Sequence, residues 1–220
     1  MKIDILSLFP EMFEGFLNTS IIKRAIESDL ISINIVNFRD YSTLNHAQVD
    51  DTPYGGGGGM VLRVEPIYNA LEQIRTEDSF VIMMTPQGVP YKQQLAIDLS
   101  RKSHIIILCG HYEGFDERIR SFVDLEVSIG DYVLTGGEIP AMAICDSVAR
   151  LIPGVIKTYS SHNDSFTENL LDYPTYTKPA EFNGMKVPEV LLSGNHQSII
   201  KWRKEMQLEN TKKKRNDLLK

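Results

Sequence analysis

Residues 103–110 form a run that is apolar almost throughout and ends in a glycine. A strand of this kind has to be covered on both faces, which is typical of the inner strands of a parallel sheet. Further strand-like runs lie at residues 2–9, 31–38, 79–85 and 128–134, and helix-like stretches separate them. The alternation predicts an α/β fold with a mostly parallel sheet.

The helix-like stretches cover residues 12–29, 65–75, 91–101 and 136–151. The first has apolar residues at helical spacing, and the second has a proline in its first turn, where the missing N–H costs nothing. The last begins with a pair of glycines. The first three each lie between two strand-like runs, as the crossover helices of a parallel sheet do, and the last follows the final run.

The chain has 220 residues, of which 42% are hydrophobic, enough for one α/β core and a small appendage. Residues 155–167 are mostly polar and show no period, so we expect a division there. We predict an α/β domain over residues 1–154, a flexible linker over 155–168, and a small helical domain over 169–220.

Charge is distributed unevenly along the chain. The net charge of -6 disfavours a nonspecific nucleic-acid binder. Residues 201–220 nevertheless hold eight Lys and Arg against three Asp and Glu. Contact with phosphates is therefore expected at this end, although a solvated helix face followed by a frayed tail would look the same.

Several classes of protein are disfavoured. No run is long enough to span a membrane and Asp4 interrupts the N-terminal apolar run, so we expect a cytoplasmic protein that does not bind membranes. Cys109 and Cys145 lack metal or disulfide spacing, which predicts buried free thiols. The five histidines are scattered, and we expect no structural metal.

Three glycine-bearing turns, at residues 85–88, 109–114 and 129–140, each follow a strand-like run. In open α/β sheets a ligand lies beyond the carboxyl ends of the strands, where main-chain amides are exposed. The turns therefore predict a binding site, although ordinary strand-to-helix connections also contain glycine pairs. A surface of this kind, poor in Lys and Arg, suits an adenosine-bearing ligand of neutral or positive charge better than a nucleoside triphosphate.

Five consecutive glycines occupy residues 55–59. The residues that follow match neither a dinucleotide fingerprint nor a Walker loop. Two interpretations remain open: a loop whose backbone closely approaches a flat or bulky ligand, beside Asp50, Asp51 and Tyr54, or a flexible connector.

Long motifs, in order along nearly the whole chain, resemble the bacterial tRNA (guanine-N(1)-)-methyltransferase family, TrmD. They lie at residues 7–13, 49–57, 109–118, 128–138, 152–154, 164–166 and 190–196. The resemblance implies a SPOUT-type fold with a deep trefoil knot, an obligate homodimer, and S-adenosylmethionine bound in the knot. It further implies methylation of nitrogen 1 of guanine 37 in tRNA, and no role for DNA.

The resemblance also implies roles for individual residues. Asp164 and Arg150 match the family's catalytic pair, and Glu113 is expected to hold the base or the cofactor's cation. The substrate site is expected to include Asp50, Tyr54, Gly55, Gly56, Ser165 and His196. The cofactor site is expected to comprise Thr85, Pro86, Gly88, Gly110, Tyr112, Glu113, Gly114, Ser128, Ile129, Gly130, Tyr132, Leu134, Gly136, Gly137 and Pro140.

Chemistry suggests what the catalytic pair does. Nitrogen 1 of guanine must lose its proton before it becomes a nucleophile, so we expect Asp164 to act as general base. Arg150 would stabilise the charge that develops on the 6-oxygen. The family's need for magnesium allows a Mg²⁺ ion near these acids, although no ligand set is visible in the sequence.

Position 111 is His where some members of the family have Arg.

Two alternatives to methylation of tRNA guanine stay open: a related knotted methyltransferase acting on another base or a ribose hydroxyl, and a noncatalytic RNA-binding module.

Overall fold

A computed structural model describes residues 1–156, 165, 166 and 168–219. The chain separates into two compact units, Met1–Lys157 and Thr158–Lys220. The first unit contains a parallel sheet with helices on both faces, and the second contains helices and a short hairpin. The predicted α/β class, with a largely helical C-terminal part, is confirmed.

All strands are numbered in chain order, and five of them form the main sheet of the first unit. They are β1 (Lys2–Ser7), β2 (Ser32–Asn37), β5 (Ser79–Pro90), β6 (His104–Leu108) and β7 (Leu125–Ser128). The spatial order is β2-β1-β6-β5-β7, and every neighbouring pair is parallel. Short strands β3 (Asp50–Asp51) and β4 (Val61–Leu62) pair separately and antiparallel.

Four α-helices lie between these strands, and a fifth follows β7. They are α1 (Glu14–Leu17), α2 (Ser20–Glu27), α3 (Val64–Ile74), α4 (Gln93–Ser100) and α5 (Glu138–Ala149). Short 3-10 helices cover Pro10–Phe13, Phe38–Tyr41, Asn45–Ala47 and Glu117–Phe122.

The two faces of the sheet have separate apolar cores. In β6, Ile105 and Ile107 pack into one core, whereas Ile106 and Leu108 pack into the other. Helices α4 and α5 cover the first face, and α3 covers the second. All five residues of β6 are buried, as a strand covered on both faces requires. This location explains why its sequence lacks the alternation of a half-exposed strand.

The helix predicted over residues 12–29 is wrong as a single element. It breaks between α1 and α2, where Thr19 is extended and Ser20 has a φ of 53°. Asn18 and Thr19 donate side-chain hydrogen bonds to the carbonyls of Glu14 and Gly15, at 2.8 and 2.6 Å. Such local bonds compete with helix continuation and end α1 at this point.

The strand predicted over residues 128–134 is also wrong. Strand β7 ends at Ser128, whose Oγ donates to the carbonyl of Gly130 at 3.1 Å and accepts from its N–H at 3.3 Å. Gly130 has a φ of 156°, and Tyr132 N–H donates back to the Gly130 carbonyl. The apolar residues that follow therefore belong to a loop, which is exposed at Val133.

A buried polar cluster lies at the amino ends of the strands. Asp4 accepts from His104 Nε2 at 2.8 Å and from Asn34 Nδ2 at 2.9 Å. The other ring nitrogen of His104 lies 2.7 Å from Ser79 Oγ. These bonds satisfy the buried Asp4 carboxylate, which would otherwise be costly to bury.

The second unit is organised around a long helix. Its elements are the hairpin of β8 (Glu181–Phe182) and β9 (Met185–Lys186), then α6 (Glu189–Leu192), α7 (His196–Lys214) and a 3-10 helix (Asn216–Leu219). Asn195 caps α7 by accepting from Ser198 N–H at 3.2 Å. The buried Thr211 accepts from Leu171 N–H at 2.8 Å, which fastens the segment before the hairpin onto α7.

Over the described parts of both units, every helix is too short or too polar to cross a membrane. The trefoil knot implied by the resemblance stays a prediction.

Both thiols are shielded by the first core. Cys109 and Cys145 are free and buried. Burial raises the pKa of Cys109 well above its usual value, with a further contribution from the charge of Glu138. Burial raises the pKa of Cys145 to about 12. Because the thiolate is the reactive form, both groups should be inert in the folded protein.

We therefore expect Ellman's reagent at pH 8 to label neither cysteine in the native protein and both in denaturant. The measurement is the absorbance released before and after adding guanidinium chloride. Rapid release from the native protein would contradict the burial of Cys109 or Cys145, and labelling single Cys→Ser variants would show which.

Candidate functional site

A cleft of about 510 Å³ opens at the carboxyl ends of β6 and β7 and beside the part of β5 where its register with β7 shifts, between Met84 and Val89. Its walls are residues 84–87 within β5, the turns that follow β6 and β7, and the start of α5. The volume lies within the range of small-molecule sites, about 300 to 1,000 Å³.

Most of the residues expected to hold a cofactor meet in this cleft. Those that line it are Thr85, Pro86, Gly110, Tyr112, Glu113, Gly114, Ser128, Ile129, Gly130, Tyr132, Leu134, Gly136, Gly137 and Pro140. Gly88 is not among its lining residues and belongs to a neighbouring shallow cavity. A Cβ on Gly88 would collide with the backbone of Glu126 and Val127, so this glycine allows β5 to pack against β7.

Two of the turns touch through their main chains. Gly137 N–H donates to the Gly110 carbonyl at 2.9 Å. A Cβ on Gly137 would lie 2.6 Å from Cys109 Cα and 2.8 Å from Gly110 N, closer than real side-chain atoms come. Position 137 therefore requires glycine because of close approach. The contact joins the turn after β6 to the start of α5.

The five-glycine run is fastened to the turn after β6. Glu113 N–H donates to the Met60 carbonyl at 3.0 Å, and Leu62 N–H donates to the Gly114 carbonyl at 2.9 Å. Gly59 has a φ of 81°, and a Cβ there would overlap the Glu113 side chain. The backbone of this end of the run thus approaches a carboxylate that lines the cleft.

The other end of the glycine run is open. Gly55 and Gly56 have φ values of 87° and 81°, with no atom within 4 Å of an added Cβ. Tyr54 beside them is fully exposed. Asp50 pairs with Leu62 in the short β3–β4 ladder. Of the residues expected to receive a substrate, the four in this segment are close in sequence, and all except the half-buried Asp50 are exposed.

Arg120 lies in the cleft wall, and its positive charge is neutralised by neighbouring acids. Arg120 Nε donates to Glu117 at 2.8 Å, one terminal nitrogen pairs with Glu126, and the other donates to Gln87 at 2.7 Å. No lysine is among the described residues that line the cleft. A wall of this charge offers little to a phosphate and favours a neutral or cationic ligand.

Sequence reasoning placed Gln87 in a predicted ligand-binding turn but did not identify Arg120 as a wall residue or as its partner. They come from separate segments, and only the packing of the Glu117–Phe122 helix near β5 brings them together. In the same segment, hydrogen bonding from Arg118 lowers the pKa of Asp116. Residues 109–118 thus combine main-chain turns with internally paired charges.

Comparisons with known proteins assign the chain to a family. The family model described as tRNA (Guanine-1)-methyltransferase TrmD matches residues 1–220. The chain belongs to the TrmD family. A tRNA (guanine-N(1)-)-methyltransferase of Malacoplasma penetrans is 60% identical over 218 residues, covering 99% of this chain and 96% of the relative.

Two further members of the TrmD family support the assignment. Relatives with the same name from Staphylococcus haemolyticus and Carboxydothermus hydrogenoformans are 58% and 59% identical over 222 residues. Each alignment covers all of this chain, with 91% and 88% of the respective relatives. The protein is therefore a methyltransferase, and the TrmD family is of the SPOUT type.

Of the two catalytic residues expected for the TrmD family, Arg150 lies within the described residues. Arg150 lies at the C-terminal end of α5 and is half-buried, with its N–H donating to the Asp146 carbonyl at 3.1 Å. Asp164 lies outside the described residues. In the second unit, Ser165 Oγ accepts from Asp172 N–H at 3.1 Å, and His196 is the exposed first residue of α7.

Within the described ranges, no three His, Cys, Asp or Glu side chains converge as a metal site would require.

The main-chain contact at Gly137 can be tested by adding one methyl group. We expect Gly137→Ala to lower the free energy of unfolding by about 1 to 3 kcal/mol, because backbone atoms must move apart. Gly15→Ala, in α1 with open space around it, should instead raise this free energy by about 0.5 to 1 kcal/mol. Urea unfolding of both variants measures the difference. Equal effects would contradict the close approach at position 137.

Proposed function

We propose that this protein transfers a methyl group from S-adenosylmethionine to nitrogen 1 of guanine 37 in tRNA. The observation that carries the proposal is the cleft of main-chain turns at the strand ends in a member of the TrmD family. The relatives are named tRNA (guanine-N(1)-)-methyltransferase, which supports tRNA guanine as the acceptor. An enzyme with this substrate would act in the cytoplasm.

The cleft residues fit the proposed methyl donor. The turn amides and carbonyls at Gly110 and Gly136 can bind an adenosyl group, while Pro86 and Ile129 offer apolar contact. Glu113 supplies a negative charge, and the paired Arg120 does not oppose a cation. S-adenosylmethionine, when bound, supplies an electrophilic methyl group on a positively charged sulfur.

The chain's own residues prepare the acceptor. Asp164 accepts the proton from nitrogen 1 of guanine, which leaves that nitrogen nucleophilic, a role worth roughly 10²- to 10⁴-fold in rate. Arg150 donates to the 6-oxygen, where negative charge develops as the proton leaves. Removing a donor of this kind costs about 2.7 to 4 kcal/mol. Glu113 helps to hold the base or the donor's cation.

Two further surfaces support the proposed partners. Helix α7 ends in Lys212, Lys213 and Lys214, which suit the tRNA backbone.

Three apolar or aromatic side chains are exposed beside the cleft: Tyr132, Val133 and Ile139. Val133 is the most exposed of them, by 88%. An apolar group of this kind favours contact with a second copy of the chain, so we propose a homodimer. The described acids around the cleft do not form a site for the Mg²⁺ ion that the resemblance allows, so no step of the proposal uses that ion.

The proposal is tested with tRNA transcripts and labelled S-adenosylmethionine. One transcript carries guanine at position 37 after another guanine, and a second carries adenine at position 37. We expect label only in the first, and mass spectrometry of the digested product should identify 1-methylguanine. Label on a ribose or on another base would favour a related methyltransferase, and RNA binding without transfer would favour a binding module.

The proton acceptor is tested by Asp164→Asn. This change should leave donor affinity unaltered and lower turnover by roughly 10²- to 10⁴-fold, because the amide cannot accept the proton. Asp98→Asn on the exposed end of α4 is the matched control and should keep turnover. Single-turnover kinetics and calorimetric donor binding separate the two quantities. Unimpaired turnover in Asp164→Asn would remove this residue from the role.

The charge-stabilising group is tested by Arg150→Ala. We expect turnover to fall about 10²- to 10³-fold with a smaller change in donor binding, because the interaction forms as charge develops. Arg101→Ala is the control, since Arg101 also follows a helix and is exposed. A collapse of donor affinity alone would show instead that Arg150 has a structural role.

A further inference from the structure

Glu138 is a buried acid at the start of α5, with a side chain that is 1% exposed. Its two carboxylate oxygens have different partners. Ser7 Oγ donates to one oxygen at 2.6 Å, and His111 Nε2 lies 2.8 Å from the other. Because an ionised carboxylate only accepts hydrogen bonds, Nε2 of His111 carries the proton in this pair.

The three residues come from separate parts of the first unit. Ser7 is the last residue of β1, His111 follows β6, and Glu138 is the first residue of α5. Ser7 and Glu138 are 131 positions apart in the chain. We call this set the Glu138 bridge. It joins the carboxyl ends of two neighbouring strands to the helix that forms one side of the cleft.

The Glu138 bridge contacts the Gly136–Gly137 turn, and its His111 also lines the cleft. Glu138 follows Gly136 and Gly137, and the His111 ring occupies the space that a Cβ on Gly136 would need. His111 and Gly136 also form a backbone bridge. The ring packs on Phe9, with centroids 4.6 Å apart, which limits its movement. A shift of His111 or Glu138 would therefore move the Gly136–Gly137 turn.

The charge of Glu138 makes this geometry stringent. A buried carboxylate that loses one of its donors is left with an unsatisfied oxygen, which is costly away from water. Ser7 cannot replace His111, because its hydroxyl proton is already used on the other oxygen and its Oγ accepts from Phe9 N–H at 2.9 Å. The simplest relief is an outward movement of the α5 start, which carries the Gly136–Gly137 turn with it.

We propose that the Glu138 bridge positions the Gly136–Gly137 turn for the methyl donor, with His111 as the positioning residue. The inference deepens the proposed function and rests on it, since the ligand is S-adenosylmethionine. The Asp4–His104–Ser79 cluster has similar chemistry, but it lies at the amino ends of the strands, whereas the Glu138 bridge lies at their carboxyl ends beside the cleft. That cluster supplies the control.

The test compares two substitutions of His111. In His111→Gln, the amide nitrogen can still donate to Glu138, whereas His111→Leu keeps the bulk and loses the donor. Dissociation constants for S-adenosylmethionine are measured by calorimetry, KM and kcat by methyl transfer to the tRNA transcript, and the melting temperature without ligand. Wild-type protein is measured first, because failure to bind S-adenosylmethionine would contradict the proposed function itself.

We expect His111→Leu to raise the dissociation constant and KM for the donor about tenfold, equivalent to about 1.4 kcal/mol. The fall in kcat at saturating donor should be smaller than the rise in KM. His111→Gln should recover most of the affinity. Ser79→Ala, in the control cluster, should lower the melting temperature without changing the dissociation constant.

Three outcomes would overturn the inference: wild-type affinity in His111→Leu, equal losses in His111→Leu and His111→Gln, or an equal loss in Ser79→Ala. Ser7→Ala provides a second route if His111→Leu does not fold, since it removes the donor to the other oxygen of Glu138, together with the acceptor of Phe9 N–H. It should weaken donor binding in the same direction, and unchanged affinity in that variant would also overturn the inference.

Discussion

The cleft depends on one contact between two stretches of main chain. Gly137 packs on the Cys109–Gly110 peptide so closely that no side-chain carbon fits between them. This contact brings the start of α5 against the end of β6, and the turns on either side present amides and carbonyls instead of long side chains. A site made in this way recognises a ligand by shape and hydrogen bonding, and needs few charged groups.

Buried charge adds a second constraint at the same place. Glu138 lies one residue beyond the close contact, and the buried Cys109 is part of that contact. The carboxylate raises the pKa of the Cys109 thiol further, so the nearby sulfur stays protonated and unreactive. Ser7 and His111 satisfy the carboxylate from two different strand ends. The Glu138 carboxylate is costly to bury, and the bonds from Ser7 and His111 that offset this cost also hold the start of α5 in one position.

The two units differ in their electrostatics. In the cleft of the first unit, Arg120 is paired with acids and Glu113 lies against the glycine run. In the second unit, α7 ends in three successive lysines. The first arrangement suits a small cationic methyl donor and the second suits a polyanion. This division is consistent with the proposed transfer from S-adenosylmethionine to tRNA.

The sequence by itself determined the α/β class, the parallel arrangement and the location of the turns after β6 and β7, because strand periodicity, a fully apolar run and glycine turns are local signals. Residues 85–88, predicted as a third turn, lie within β5, where its register with β7 shifts. Local signals were weaker at element ends. Asn18 and Thr19 ended a helix that apolar spacing would have continued, and Ser128 ended a strand before an exposed apolar loop. Residue roles came only from the resemblance to the TrmD family.

The tertiary structure alone decided which residues share the cleft. It placed Gly88 against β7 outside the cleft, joined Gln87 to Arg120, and brought Ser7 to Glu138 across 131 positions. Contacts of this kind depend on how whole strands and helices pack, and no pattern within a few residues encodes them. The sequence therefore specified where along the chain a site could form, whereas packing between distant segments determined its walls and the buried charge behind them.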